Sequence, residues 1–212
     1  MVKGENDLAI RFYKVGDDYG EFSNFALYPI SLLGMQWKTS EHYFQANKFT
    51  DPTLFQSVMD AKTPHEAASI GRSPNNKLRD DWESIKIDIM REAVTAKFSQ
   101  NEKLRNLLLS TQSEKIIEAS PADYFWGEGK DGSGRNELGK ILMEVRSSLA
   151  TQTKTKPISP WEYNSDAEPY DFFWSQGEAE SILVEWQRFI NQMTVQERDE
   201  YYENEVPKKW KD

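Results

Sequence analysis

The sequence contains no cysteine among its 212 residues. Disulfide bonds, thiolate metal sites and a thiol nucleophile are therefore excluded, a composition typical of proteins from a reducing compartment. A membrane-spanning helix needs a run of about 18 apolar residues, which the chain lacks, and the first residues contain no apolar segment of a signal peptide. We expect a cytoplasmic protein that does not contact a membrane.

Histidine is scarce, occurring only as His42 and His65. Neither residue belongs to an HExxH motif or to a cluster of metal-binding residues, and a structural role is the commoner one for isolated histidines. We therefore predict no metal site, and no cofactor is expected.

Basic residues are outnumbered by acidic ones, 26 to 35, which gives a formal net charge of -9. Residues 151–212 carry -6 of this charge and residues 1–150 carry -3. Because no stripe of lysine and arginine is evident, we do not expect tight, sequence-independent binding to duplex nucleic acid. A small anionic ligand held by a few local groups is compatible with this composition.

The pattern of apolar residues predicts an α+β fold, a mainly helical single domain with a small antiparallel sheet. Residues 8–13 have strand composition, and residues 28–39 predict two strands that turn at Gly34, all three forming the antiparallel unit. A further strand is predicted over 114–120. The predicted helices cover residues 40–50, the segment from the Thr63–Glu66 capping box to a stop at Gly71, residues 80–101 and 102–111, and the segment that starts at Asn136.

A boundary is predicted at residues 151–160, where the helical period is lost and proline occurs twice. We expect a domain over residues 1–150 and a C-terminal helical extension over 151–212. The extension contains two predicted helices, the second starting at the capping box TVQE (194–197), and four of the seven tryptophans. We expect it to pack on the main domain or on a protein partner.

Residues 38–49, KTSEHYFQANKF, place Glu41, Gln45 and Lys48 within roughly 60° of one another on a helix, surrounded by aromatic residues. Two interpretations are open at this point. The polar stripe is either a solvated helix face with an ion pair, or the wall of a pocket in which a carboxylate and an amine face a ligand.

Two loops contain groups that could bind an anion. Residues 127–132, GEGKDG, match GxGxxG, but the adjacent strand and helix that a dinucleotide site requires are missing, so we regard the match as accidental. This glycine loop could still bind an anion ahead of the helix at Asn136, or be a mobile surface turn. Arg72, Lys77 and Arg79 in the second loop suit phosphate, although loop cations are more often solvated.

Several segments of the chain together resemble the YbiA-like family, also called NADAR, a group of N-glycosidases. They are FYKVGDDYGEFSNF (12–25), WKTSEHYFQANKF (37–49), LRDDWESIKIDIM (78–90), AKFSQN (96–101) and DYFWGEGKDGSGRNELGKILMEVR (123–146). The resemblance covers about residues 8–149. It implies a YbiA-like fold and hydrolysis of the C–N bond between a ribose C1′ and a nitrogen.

By this resemblance, the functional positions of the family correspond to Glu41, Trp82 and Asp123. Glu41 is expected to stabilise the positive charge that builds at C1′, or to activate water. Two roles are open for Lys48. It either keeps Glu41 ionised and binds a phosphate or hydroxyl, or it attacks C1′ as a neutral amine and passes through a Schiff base.

The remaining candidate residues are expected to bind the substrate. Asp123 would orient a ribose hydroxyl or protonate the departing base, while Trp82 and Trp126 would sandwich the base or sugar; the alternative for both tryptophans is the core. Arg72 and the helix start at Asn136 would hold phosphate. Gln45 and Asn24, which lie in the matching segments, complete the set.

Two substrate classes are associated with proteins that this chain resembles. They are phosphorylated aminopyrimidine intermediates of riboflavin synthesis, and ADP-ribose attached to guanine, either in a small nucleotide or in single-stranded nucleic acid. We favour ADP-ribosyl-guanine because residues 71–79 and the glycine loop offer more anion contacts than one phosphate needs. An alternative of another class is a non-catalytic module that binds ADP-ribose or a nucleotide while the extension engages a protein.

Overall fold

The structure, a computed structural model, describes residues 9–154, 156–191, 193 and 195–211. The chain divides into two compact units, one up to Leu149 and one from Ala150 onwards, and each is described by itself. In the described ranges, no helix has both the length and the apolar character needed to cross a membrane.

In the described part of the chain, four short strands form two separate two-stranded sheets: β1 (Ile10–Phe12), β2 (Ile30–Leu32), β3 (Met35–Trp37) and β4 (Ile116–Glu118). The antiparallel hairpin of β2 and β3 is confirmed. Its two turn residues, Leu33 and Gly34, have φ of 54° and 75°, as a two-residue hairpin turn of primed type requires.

Strand β1 does not join this hairpin, so that part of the prediction was wrong. It pairs in parallel with β4, with Ile10 opposite Ile116. Alternation of buried and exposed residues identifies a strand but does not select its partner, which here lies far along the chain. Leu8, the first residue of the predicted strand, lies outside the described residues.

From residue 9 onwards, the first unit contains six α-helices: α1 (Ser40–Ala46), α2 (Pro52–Asp60), α3 (Pro64–Arg72), α4 (Trp82–Gln100), α5 (Glu102–Ser110) and α6, whose range Glu137–Lys154 runs past the boundary between the units. The mainly helical α+β prediction is confirmed. Helix α2 was missed, although Asp51 caps it by accepting a hydrogen bond from Thr53 N at 2.8 Å and Pro52 occupies its first position.

The core of the first unit has two clusters. One surrounds β1, β4, α4 and α6 and includes Phe12, Phe98 and Leu142. The other lies between the hairpin and helices α1 to α3 and includes Trp37 and Tyr43. Helix α1 lies between α3 and α4, and all seven of its residues are buried, so its polar side chains are inside the protein.

The second unit contains helices α7 (Pro160–Tyr163), α8 (Gly177–Asn191) and α9 (Val195–Asn204). Trp174, Trp186 and Trp210 are buried together in this unit, and Tyr201 and Tyr202 of α9 pack against them. The two predicted helices correspond to α8 and α9, and Thr194 of the predicted TVQE capping box lies outside the described residues. Contact of this unit with a protein partner stays a prediction.

Candidate active site

A cavity of about 1040 Å³ opens in the first unit. Its walls come from the segment after β1, helix α1, helix α3, the end of β4 and the loop that follows β4. Among the predicted site residues, the cavity is lined by Asn24, Glu41, Gln45, Lys48, Arg72, Asp123 and Trp126. Trp82 and Asn136 do not line it.

Glu41 lies on the wall of this cavity and is only 3% exposed. Its Oε1 accepts a hydrogen bond from Gln45 Nε2 at 2.7 Å, one helical turn further along. Burial raises the pKa of Glu41, while the Gln45 bond and the charges of Arg72 and Lys48 lower it and Asp123 raises it. The solvated-face interpretation of α1 is therefore wrong, and the pocket-wall interpretation agrees with the structure.

Lys48 lies in the turn after α1, which ends at Ala46, earlier than predicted. Its Nζ donates to Gly71 O at 3.1 Å and lies 5.7 Å from the centroid of the Trp82 ring. Burial lowers the pKa of Lys48 to about 8, although Glu41 opposes the shift. An amine with this pKa is about nine-tenths protonated at pH 7 and half neutral at pH 8. Both predicted roles of Lys48 are compatible with that value.

Gln45 is positioned by a close approach of helix α3. A Cβ atom at Gly71 would lie 1.9 Å from Gln45 Oε1, so only glycine leaves room for this side chain. Gly71 was predicted to be a helix stop, whereas α3 continues to Arg72. Gln45 Oε1 is buried without a hydrogen-bond partner in the described chain, which leaves it available to a ligand hydroxyl.

Asn24 lines the cavity but uses its polar groups to hold the start of α1. Its Oδ1 accepts from Ser40 Oγ at 3.0 Å, and its Nδ2 lies 3.0 Å from Met90 Sδ. Its carbonyl oxygen accepts from Glu41 N at 3.2 Å. The structure therefore gives Asn24 a role in orienting Glu41, alongside the predicted contact with substrate.

Asp123 lies in the loop after β4 and is fixed by its own turn. Its Oδ1 accepts from Phe125 N at 2.9 Å and from Trp126 N at 2.7 Å. These bonds orient the carboxylate and the Trp126 ring together. Oδ2 of Asp123 makes no hydrogen bond within the described residues, so this oxygen can meet a ligand.

The predicted sandwich of a base between Trp82 and Trp126 does not fit this structure. The Phe44 ring contacts both indoles, with centroid distances of 5.1 Å to Trp82 and 5.3 Å to Trp126. Trp82 is 5% exposed and belongs to the core cluster. Trp126 thus remains as a cavity wall, while Trp82 supports Phe44 and Lys48 from behind.

The predicted anion contacts are fewer than expected. Arg72 lines the cavity, but Lys77 and Arg79 pair with Asp80 and Asp81 at 3.4 and 2.5 Å and border a separate depression. In the glycine loop, Glu128 N and Gly129 N donate to backbone carbonyls.

Asn136 does not form the expected phosphate site. Its Oδ1 accepts from Glu118 N and its Nδ2 donates to Ile116 O, both at 2.9 Å. The side chain therefore joins the start of α6 to strand β4, and the N–H groups of Glu137 and Leu138 at that helix start donate to Phe125 O and Trp126 O. In the described part of the chain, no group of three or more His, Asp or Glu side chains could hold a metal ion.

Glu118, which was not predicted from the sequence, lines the cavity at the end of β4. Burial raises the pKa of Glu118 to about 7; the charges of Asp123 and Glu41 act in the same direction and Arg72 opposes them. A signal existed, because a polar residue directly after two apolar ones ends a strand of a parallel pair, where ligand sites are common. Tyr13, Lys14, Phe25 and His65, also lining residues, were missed as well.

Comparison with known proteins identifies the family. The NADAR domain matches residues 11–150. The chain belongs to the NADAR family. Every residue that lines the cavity lies within this NADAR domain, and residues 151–212 lie outside the match.

Relatives of the NADAR domain include proteins of named activity. N-glycosidase YbiA of Escherichia coli is 47% identical over 146 residues, which is 69% of this chain and 91% of that protein. The chloroplastic riboflavin biosynthesis protein PYRR of Zea mays is 44% identical over 155 residues, which is 66% of this chain and 25% of that protein. The NMR structure of E. coli YbiA matches with a TM-score of 0.65 and 47% identity, over 69% of this chain and 87% of that one.

Proposed function

We propose that this NADAR protein is a hydrolase of N-glycosyl bonds that cleaves the ribose C1′–N bond of ADP-ribosyl-guanine. The reaction class is supported by 47% identity to a protein named N-glycosidase YbiA. The observation that carries the proposal is the convergence of Glu41, Asp123 and Trp126 on one cavity, since acid residues beside an aromatic wall suit a ribosyl ligand with a departing base.

Cleavage of a C1′–N bond builds positive charge on the sugar, which a nearby carboxylate stabilises. Glu41 is positioned for this by Gln45, and its raised pKa makes it a stronger base than an exposed glutamate. Glu41 then takes a proton from the water that attacks C1′. Asp123 Oδ2 orients a ribose hydroxyl, and Arg72 binds a phosphate.

Lys48 acts in this scheme as a protonated amine, because it is mostly charged at neutral pH. Its charge favours the ionised form of Glu41 and attracts an anionic substrate. The covalent alternative, attack of neutral Lys48 on C1′, makes a distinct prediction. Borohydride added during turnover would reduce a Schiff base to a stable adduct of Lys48, and capture of such an adduct would replace the electrostatic role by the covalent one.

The size of the cavity supports a dinucleotide-like substrate. Its volume of about 1040 Å³ is at the upper end of the usual range for ligand sites. Lys14, Arg72 and Lys48 offer positive charge along the walls, and Phe25 offers an aromatic surface besides Trp126. Support from the loop of residues 71–79 is weaker than the sequence suggested, because only Arg72 contributes.

A second candidate substrate is a phosphoribosyl aminopyrimidine of riboflavin synthesis. This class is supported by the relative named riboflavin biosynthesis protein PYRR, of which the chain covers only a quarter. The bond that breaks is of the same type, so the same carboxylates would serve.

Incubation with each substrate, followed by chromatography of the released base, tests the proposal. We expect faster release of guanine from the ADP-ribosyl adduct, and we expect Glu41→Gln to abolish it. Faster cleavage of the aminopyrimidine would favour the second candidate. Ligand-induced stabilisation without any product would support the non-catalytic module instead.

A further inference from the structure

Glu118 is the carboxyl residue of the cavity that the scheme above does not use. It is the last residue of β4, and its backbone is held on both sides. Its N–H donates to Asn136 Oδ1 at 2.9 Å, and its carbonyl oxygen accepts from Glu128 N at 2.9 Å. The side chain therefore extends from a fixed backbone into the cavity.

The three carboxyl groups of the cavity differ in their hydrogen bonds. Glu41 accepts from Gln45, and Asp123 accepts from two backbone N–H groups. Glu118 Oε2 is buried and has no hydrogen-bond partner among the described residues. An unpartnered buried carboxylate oxygen is costly, whereas a neutral carboxylic acid is tolerated and can donate its proton.

The charges that face Glu118 also favour its neutral form. Glu41 approaches from α1 and Asp123 from the loop after β4, while Arg72 of α3 is the opposing positive group. With burial, these charges raise the pKa of Glu118 to about 7, so about half of the molecules hold this proton at neutral pH. Pairs of carboxyl groups held in different protonation states commonly divide acid and base roles.

We propose that Glu118 is the general acid of the reaction and donates the proton on its carboxyl group to the nitrogen that leaves C1′. This inference rests on the proposed function. As the C1′–N bond breaks, its electron pair goes to the nitrogen, which takes the proton of Glu118. The water oxygen bonds to C1′ and gives its proton to Glu41. Glu41 then releases its proton to solvent, and solvent returns a proton to Glu118. Asp123 keeps only the role of orienting the ribose.

A comparison of two leaving groups tests the proposal. Glu118→Gln is expected to lower kcat on ADP-ribosyl-guanine by about 10²-fold or more, since general acids contribute 10²- to 10⁴-fold. The same variant should cleave the 4-nitrophenyl glycoside of ADP-ribose within about threefold of wild type, because nitrophenolate leaves without a proton. The matched variant Glu41→Gln should lose cleavage of both substrates. Equal losses on the two substrates in Glu118→Gln, or no loss, would overturn the acid role.

A measurement without substrate separates this inference from the proposed function. In protein labelled with ¹³C at the glutamate carboxyl carbons, one signal should titrate near pH 7 and be absent from Glu118→Gln. Titration of that signal near the ordinary value of 4.5 would overturn the inference whatever the activity. If wild type released no base from either N-glycoside, the proposed function would fail, and the acid role with it. If wild type cleaved the N-glycoside and Glu118→Gln cleaved it at the same rate, the acid role of Glu118 would be overturned while the proposed function would stand.

Discussion

The two units of the chain both contain clusters of aromatic side chains, but the clusters have different surroundings. In the first unit, Phe44 and Trp126 border a cavity that also contains Glu41 and Lys48. In the second unit, Trp186 contacts Trp161 and Trp210 at centroid distances of 5.3 and 6.2 Å. This cluster of rings forms the interior of a small helical unit.

Ionisable groups distinguish the two clusters more clearly than the rings do. Burial moves the pKa of Glu41 upward and that of Lys48 downward, both against their ordinary charged forms. In the second unit, Lys156 pairs with Glu205, the two side chains being 41% and 51% exposed, and this bond raises the pKa of Lys156. The rings that border the cavity therefore share it with buried charged groups, whereas the ring cluster of the second unit has its ion pair at the surface.

The largest effect on activity is expected from loss of the Glu41 carboxylate. Glu41→Gln keeps the size of the side chain and should lower kcat by about 10²- to 10⁴-fold, the usual contribution of a general base. Steady-state base release measures the effect, and the thermal unfolding curve shows whether the variant is folded. Activity within about tenfold of wild type would contradict the role of Glu41.

Removal of an aromatic ring from the second unit should lower stability and leave activity almost unchanged. Trp186 is 6% exposed, and Trp186→Ala is expected to lower the free energy of unfolding of that unit by about 3 to 5 kcal/mol. We expect kcat to stay within about threefold, because every lining residue of the cavity belongs to the first unit.

Urea unfolding and base release measured on the same samples test the Trp186→Ala prediction. Val195→Ala, at a side chain that is 74% exposed, serves as the control with neither effect. A large loss of kcat in Trp186→Ala would show that the second unit takes part in catalysis.

A methyl group at Gly71 should disturb the site without removing any catalytic group. Gly71→Ala would displace Gln45, whose Oε1 lies where the new Cβ would be placed, and Glu41 would lose its N–H donor. A hydrogen bond to a charged group is worth about 1.5 to 3 kcal/mol, so kcat should fall by about 10- to 100-fold. Gly16→Ala is the matched control, since nothing lies within 4 Å of its Cβ position. Equal activities of the two variants would disprove the close-approach argument.

The smallest expected effect is a gain in stability. In the folded protein the pKa of Lys48 is lowered from 10.5 to about 8, so the folded state binds fewer protons than the unfolded state between these values. The stability of wild type therefore includes a contribution that rises with pH from 8 to 10.5 and is unfavourable below pH 8. Lys48→Met should be more stable at pH 7 by about 1 to 2 kcal/mol, allowing for solvent screening.

The stability difference between Lys48→Met and wild type, measured by urea unfolding at pH 7 and pH 10, tests this sign. The gain should shrink as the pH rises. Lys156→Met is the counterpart in the second unit and should bring no gain, because Lys156 has a favourable ion pair. A gain that is equal at both pH values would contradict the pKa argument.

Local features of the fold were predictable from the sequence because they depend on neighbouring residues. The hairpin turn at Gly34, the cap at Thr63 and the helix predicted over residues 80–101 all follow from short-range patterns, and the structure contains them, the last as α4. The partner of β1 was not predictable in this way, because a strand pattern carries no information about a segment more than 100 residues away.

The site was predictable to the extent that helix α1 and the turn after it carry it. The spacing of Glu41, Gln45 and Lys48 indicated a shared face, and the structure places all three on the cavity wall. Glu118 was missed because its role depends on burial and on charges from α1 and α3, which only the fold brings together. For the same reason Trp82 was placed on the cavity wall, whereas Phe44 covers it.

The pairing of β1 with β4 also affects when the site can form during synthesis. Ile10 cannot pair until Ile116 has been synthesised, and by then most of the NADAR domain has been made. Such long-range pairing is slow relative to helix formation. Nascent chains should therefore acquire helices α1 to α5 first and become competent for hydrolysis only once the segment that carries Asp123 and Trp126 has emerged.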